Sequence, residues 1–157
     1  MTEQPPAASE SAEKRILRSD FPGDDGTASA DVSAALAEFA AGGDYEKALG
    51  PLFSARLLVP VVAVLGEVEY DERGLAHDKT SDMATVLLTG ADGRKALLAF
   101  TGTDALQRWR ADARPVPVWT RDAARSAIQE GADALVIDVA GPVPFAIEGN
   151  ILRLAAV

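Results

Sequence analysis

The stretch ATVLLTGADGRKALLAFTG, residues 84–102, decides the fold. Two apolar runs, 84–89 and 95–100, flank Gly90, Ala91, Asp92 and Gly93, a short loop whose glycines can take the backbone angles of a tight turn. Runs that close in sequence pair antiparallel, so a hairpin is expected. Beyond it, Thr101 and Asp104 stand in the Thr-x-x-Asp spacing of a capping box. Leu106 and Trp109 supply one apolar face of a short helix that ends before Pro115. Thr101, Gly102 and Thr103 thus follow a strand and open a helix. Their backbone N–H groups could meet an anion, or they serve only to turn the chain and cap the helix.

Toward the C-terminus, Pro115 and Pro117 sit two apart, so in an extended chain their missing N–H groups lie along one edge. Val116 and Val118 therefore mark an edge or polyproline-like segment. Thr120 starts a helix with Ala124, Ala127 and Ile128 inward, Arg121, Arg125 and Gln129 outward, and Gly131 as its stop. Residues 134–139 read as a buried strand broken by Gly141, Pro142 and Pro144. A final hairpin is expected from 145–147 and 151–154 around a turn at Gly149 and Asn150.

Toward the N-terminus, the continuous run 57–65 has the composition of a strand covered on both faces. Before it, Tyr45, Ala48, Leu49 and Leu52 follow helical spacing after Asp44, with Gly50 and Pro51 straining the later half. Asp31 can cap an earlier helix in which Val32, Ala35, Leu36, Phe39 and Ala40 share a face and Gly42 and Gly43 end it. Residues 1–30 carry Pro5, Pro6, Pro22, Gly23 and Gly26 with only Ile16, Leu17 and Phe21 as larger apolar groups, so a disordered acidic tail is expected there. The expectation is one α/β (α+β) domain over residues 31–157, a mixed β-sheet with helices packed against it.

The bulk numbers exclude several classes of function. The chain has 157 residues, is 48% hydrophobic, and fits a single core. It has no cysteine, which removes thiol nucleophiles, iron–sulfur clusters and Cys-based zinc sites. Its net charge is −9, spread over both the first 30 residues and the rest, a field that repels phosphate backbones, so no nucleic-acid partner is expected. Arg108, Arg110 and Arg114 cluster, but Asp104 and Asp112 balance them. The first 15 residues contain no apolar core of a secretory signal, and the longest apolar stretch, 57–65, has nine residues against the roughly 20 of a membrane span. Neither a membrane partner nor an export signal is expected, and a cytoplasmic location is the default.

Chemistry-bearing motifs are few. The two phosphate-cradling glycine patterns and the G-x-S-x-G elbow do not occur, and any Ser–His–Asp triad would have to use His77, the sole histidine, in an expected loop. The densest polar segment holds Glu67, Glu69, Asp71, Glu72, Asp78 and Asp82. Hard cations favour such carboxylates, but Arg73 stands where an EF-hand ladder needs its second ligand. No catalytic residue, no metal site and no cofactor is therefore assigned.

Four strings taken in order resemble one family: DKTSDMATVLL (78–88), DGRKALLAFTG (92–102), RWRADARPVPV (108–118) and GADALVIDVAGPVPF (131–145). Over roughly residues 45–157 the chain is similar to the SseB N-terminal-domain family, its actinobacterial branch above all. The resemblance implies a cytoplasmic α/β domain with no accepted catalytic residues, here as a single copy where many members carry a second domain. The family name is associated with serine sensitivity; nothing here resembles the secreted translocator that shares it. Lys79, Ser81, Asp82 and Met83 before the hairpin, Phe100, Thr101 and Gly102 after it, and Arg114 with Pro115 are the positions to inspect for a binding surface, or they are fold determinants. Lys79, Ser81, Asp82, Thr101, Gly102 and Arg114 are the candidate binding residues. Three functions follow: a non-enzymatic interaction or regulatory module with a protein partner, a domain binding a small molecule such as an amino acid, or an enzyme using the 67–82 carboxylates.

Overall fold

A computed structural model of the chain describes residues 21–65, 68–70, 76–78 and 81–157, with side chains described for 21–62 and 85–157. The expectation for residues 1–20 lies outside the described residues. Residues 21–29 do not continue a tail: Phe21 packs on Trp119 with ring centroids 4.5 Å apart, and Asp24 pairs with Arg56.

Helix α1, Ala30–Ala40, is capped by Ser29 rather than Asp31, the Ser29 hydroxyl accepting from the Val32 N–H at 3.2 Å. Asp31 falls in the first turn, where a negative charge suits the helix dipole. Helix α2, Tyr45–Phe53, continues through Gly50 and Pro51. Thr120 secures its end: the buried hydroxyl donates to the Leu52 carbonyl at 2.6 Å, with the Ala55 carbonyl at 3.1 Å.

Strand β1, Arg56–Leu65, is the pivot of the sheet. The short hairpin β2 (Val68–Tyr70) and β3 (Ala76–Asp78) follows it and puts His77 opposite Glu69, in a strand rather than the expected loop. Strand β4, Ser81–Thr85, pairs antiparallel with β1, whereas β5, Leu87–Thr89, pairs with β6, Lys95–Ala99. The expected hairpin is present, but its first arm changes partners at Val86. Leu98 still donates to the Val86 carbonyl at 3.3 Å, and two residues later Phe100 exchanges both backbone bonds with Leu58 at 2.7 and 2.8 Å. β1 thus pairs with β4 and β7 and meets the end of β6 through the Leu58–Phe100 bridge.

Helix α3 (Thr103–Trp109), β7 (Arg114–Trp119), α4 (Thr120–Gln129), β8 (Ala134–Ile137), β9 (Phe145–Glu148) and α5 (Gly149–Ala155) complete the chain. β8 runs parallel to β6 and antiparallel to β9, so the sheets have orders β4-β1-β7 and β5-β6-β8-β9, mixed as expected. Three prolines occupy positions where the ladder asks for no donor. Because Leu58 points its backbone at Phe100, alternation turns Pro60 toward the gap at Val86 and turns Pro115 and Pro117 outward from edge strand β7. An edge that has lost two of its outward donors is a poor template for a further strand.

Two expectations fail here. Residues 151–154 are helical: Leu152 and Ala155 are buried and Arg153 and Leu154 exposed, the spacing of a helix face rather than a strand. In α4, Ala123 turns inward with Ala124 and Ala127 while Ile128 stays 44% exposed, because small side chains let this helix approach the sheet closely. The apolar run of β6 divides by alternation between two cores. Leu97 and Ala99 join Leu52, Leu57, Leu135 and Ile147 under α1, α2, α4 and α5, while Leu98 and Phe100 pack on the reverse face against Ala105 and Leu106 of α3.

Candidate functional site

The parallel strands β6 and β8 end side by side, and the chain beyond them builds a neck of polar contacts. The Asp138 N–H donates to the Ala99 carbonyl at 3.0 Å. Its carboxylate accepts from the Thr101 N–H and from the Thr101 hydroxyl, both at 2.8 Å. Asp138 is 1% exposed and holds φ +55, a left-handed conformation that Asp and Asn tolerate better than other side chains. Burial pushes its carboxyl above the ordinary range, and the two Thr101 hydrogen bonds oppose that. The expected capping box is therefore absent: Thr101 spends its hydroxyl on Asp138, and the N-cap of α3 is Gly102, with no side-chain cap.

Across this neck runs the strap of residues 21–29. Thr103 donates its N–H to the Gly26 carbonyl at 2.7 Å. A Cβ on Gly102 would meet the Ala28 nitrogen at 2.8 Å and the Gly26 oxygen at 3.0 Å, so the approach requires glycine at 102 for space. Arg56, with a side chain 12% exposed, binds both sides. Its Nε and Nη2 grip the Asp24 carboxylate at 2.7 and 3.0 Å, Nη2 also donates to the Thr27 carbonyl at 2.8 Å, and Nη1 donates to the Thr101 carbonyl at 2.8 Å. This is the bidentate fork for which arginine is suited.

Between strap and α3 lies a cleft of about 550 Å³ lined by Asp25, Thr27, Thr101, Thr103, Asp104 and Arg108, among others. Its position matches the general rule for open α/β sheets, in which ligands occupy the crevice beyond the carboxyl ends of parallel strands. The Thr27 backbone N–H, 2.9 Å from Asp25 Oδ1, holds the Asp25 carboxyl below its ordinary range, so the cleft carries a fixed negative charge there at neutral pH. Asp104 adds a second acid and Arg108 a base.

Of the residues singled out from sequence, Thr101 and Gly102 lie at this cleft. Arg114 opens β7 opposite Val61, while Asp82 and Ser81 sit on the other flank of β1 opposite Val64 and Leu65. Strand spacing and rise separate the Arg114 and Asp82 backbones by about 14 Å. Lys79 lies outside the described residues, as do Glu67, Asp71 and Glu72. Among the described residues no three His, Cys, Asp or Glu side chains gather as metal ligands, and no helix is long and apolar enough to cross a membrane.

Sequence reasoning missed Arg56, Asp24, Asp25 and Asp138. A signal existed for two of them: Arg56 opens an apolar strand and Asp138 closes one, and charge at the end of a buried run is informative. Asp24 and Asp25 fell in the segment read as tail. Comparison with the curated proteins and with the solved structures finds no match. The family description "SseB protein N-terminal domain" matches residues 32–153, beginning just after the strap and taking in every strand and all but the ends of the outer helices. On a match of that extent, the chain belongs to the SseB protein N-terminal domain family.

Proposed function

We propose that the domain is a non-enzymatic regulatory module that works by binding, and that the cleft beyond β6 and β8 holds a small polar ligand. The observation that carries this reading is the cleft itself, about 550 Å³, within the usual range for small-molecule sites. Its walls offer Arg108 for an anionic group and Asp25 with Asp104 for an ammonium or hydroxyl, as a small zwitterion such as an amino acid would require. Proton-transfer chemistry suits it poorly. A general acid or base works best with a pKa near the operating pH, whereas Asp25 is held down by the Thr27 N–H; Asp138, which burial raises, does not line the cleft and is occupied by Thr101.

The test is a thermal-shift screen of amino acids, nucleotides and small organic acids against the whole chain. A ligand at 100 times its dissociation constant stabilises by about 2.7 kcal/mol, a readily measured rise in Tm. That rise should vanish in Arg108→Ala and in Asp25→Ala. A screen without hits, or a hit indifferent to both substitutions, rejects the cleft as the site.

A protein partner is the second reading, favoured by Leu88. It is 41% exposed and lies with Ala96 and Val136 around a shallow concavity of about 330 Å³ on the sheet face opposite the larger core. A pull-down whose specific partner is lost on Leu88→Lys supports it; no partner above background counts against it.

A further inference from the structure

We infer that residues 21–29 form a latched strap that opens and closes the cleft, with the Arg56–Asp24 pair as the latch. The inference rests on the binding reading for its purpose, but the latch is a property of the chain without ligand. The strap is one wall of the cleft: Asp25, Gly26, Thr27 and Ala28 face Thr103, Asp104 and Arg108 across it. Removing the strap removes the wall.

What holds the strap is concentrated in a few polar contacts. Pro22, Gly23, Asp25, Thr27 and Ser29 are exposed, and no strap residue belongs to either hydrophobic core. The attachments include Phe21 on the Trp119 ring at one end, the Ser29 cap of α1 at the other, and between them the Gly26 carbonyl on Thr103 and the three bonds of Arg56 to Asp24 and Thr27. A segment fastened by hydrogen bonds rather than by buried apolar area opens at low free energy, independently of global unfolding. Both ends can stay docked while the middle, residues 24–28, lifts. Glycine makes the closed seat fit: a Cβ on Gly26 would collide with the Thr103 hydroxyl at a φ of +84, and one on Gly102 would strike the Ala28 backbone.

The latch is also joined to the base of the site. Arg56 grips Asp24 with one side of its fork and the Thr101 carbonyl with Nη1, and Thr101 is bound through N–H and hydroxyl to Asp138. A ligand that needs both walls binds the closed state alone, and so shifts the population toward it.

Thr103 gives a direct reporter. It is the first residue of α3, so its N–H has no acceptor within the helix, and the Gly26 carbonyl of the strap is its partner. Amide hydrogen exchange of the full-length, ligand-free chain is compared with that of Asp24→Asn and Arg56→Gln. The expected result is exchange at Thr103 at least tenfold faster in both variants while the core amides of Leu97 and Ile137 are unchanged. Gly26→Ala, which leaves the Asp24 and Arg56 side chains in place, should give the same pattern by unseating the strap against Thr103. Thr103 exchange unchanged in all three variants, or accelerated only together with the core amides, overturns the latch. Since no ligand is present, an empty ligand screen leaves this result standing, and failure of the latch leaves the cleft to be judged by the screen.

Discussion

Replacing Asp138 separates its two contributions, charge and hydrogen bonding. The carboxylate accepts two hydrogen bonds from Thr101 at 2.8 Å in a site 1% exposed, with φ +55. In Asp138→Ala both donors lose their acceptor. Each unsatisfied buried group costs about 1–3 kcal/mol, and alanine in a left-handed conformation adds about 1 kcal/mol, so the loss should be about 3 kcal/mol or more. For a chain of this size that is a fall in Tm of about 6–12 °C. Asp138→Asn behaves otherwise. Its carbonyl oxygen can accept from the Thr101 N–H and its amide can donate to the Thr101 hydroxyl oxygen, while asparagine is at least as tolerant of the left-handed region.

The pH dependence carries the sign. Burial raises the Asp138 pKa in the folded state above its value of 3.8. The group's contribution is therefore fully present below 3.8 and is lost as pH rises through the folded value. Asparagine has no charge to desolvate, so the variant should gain on the wild type as pH is raised from 4 to 7, matching or exceeding it at pH 7. Urea unfolding of the three proteins at pH 4, 5.5 and 7 reads this directly. An Ala variant that loses less than about 1 kcal/mol, or an Asn variant as unstable as Ala at every pH, would refute the reasoning.

The Thr120 hydroxyl, wholly buried against the Leu52 and Ala55 carbonyls, makes Thr120→Val cost about 1–2 kcal/mol in the same assay, whereas Thr120→Ser retains the bond and should cost less. At the β7 edge, Pro115→Val with Pro117→Val restores two outward N–H donors. The double variant should keep its unfolding midpoint within a few degrees yet aggregate faster on light scattering at equal concentration; unchanged aggregation would show that the prolines do not protect this edge.

The elements that could be read in advance are those whose signal is local. Helix α1 follows from the spacing of Val32, Leu36 and Phe39, the hairpin from two apolar runs around Gly90 and Gly93, and the edge character of β7 from prolines two apart. Where two local readings compete, the wrong one can look as good. Ile151, Leu152 and Leu154 fit a short strand as well as a helix turn, and the choice fell to packing: α5 lies against α4, with Arg125 donating to the Ala156 carbonyl at 2.7 Å. The site was less legible. Thr101 and Gly102 were found because a strand-to-helix turn is a local pattern, but the Thr101 partners Asp138 and Arg56 are 37 and 45 positions away, and the Asp24 that Arg56 grips is a further 32.

By itself, then, the sequence determined the class of the protein: an acidic α/β chain without cysteine, without a phosphate loop, of the SseB N-terminal type. Composition and short-range periodicity are sufficient for that, since they set which faces are apolar and which chemistries have no atoms to perform them. Only the tertiary structure decided that the strand arm changes partners at Val86, that the capping threonine turns instead to a buried Asp138, and that residues 21–29 cross the start of α3 under the grip of Arg56. Hydrogen bonds between residues far apart in sequence leave no periodic trace. Each group is satisfied by whichever partner the folded chain brings within 3 Å, and that choice is made by the packing of the whole domain.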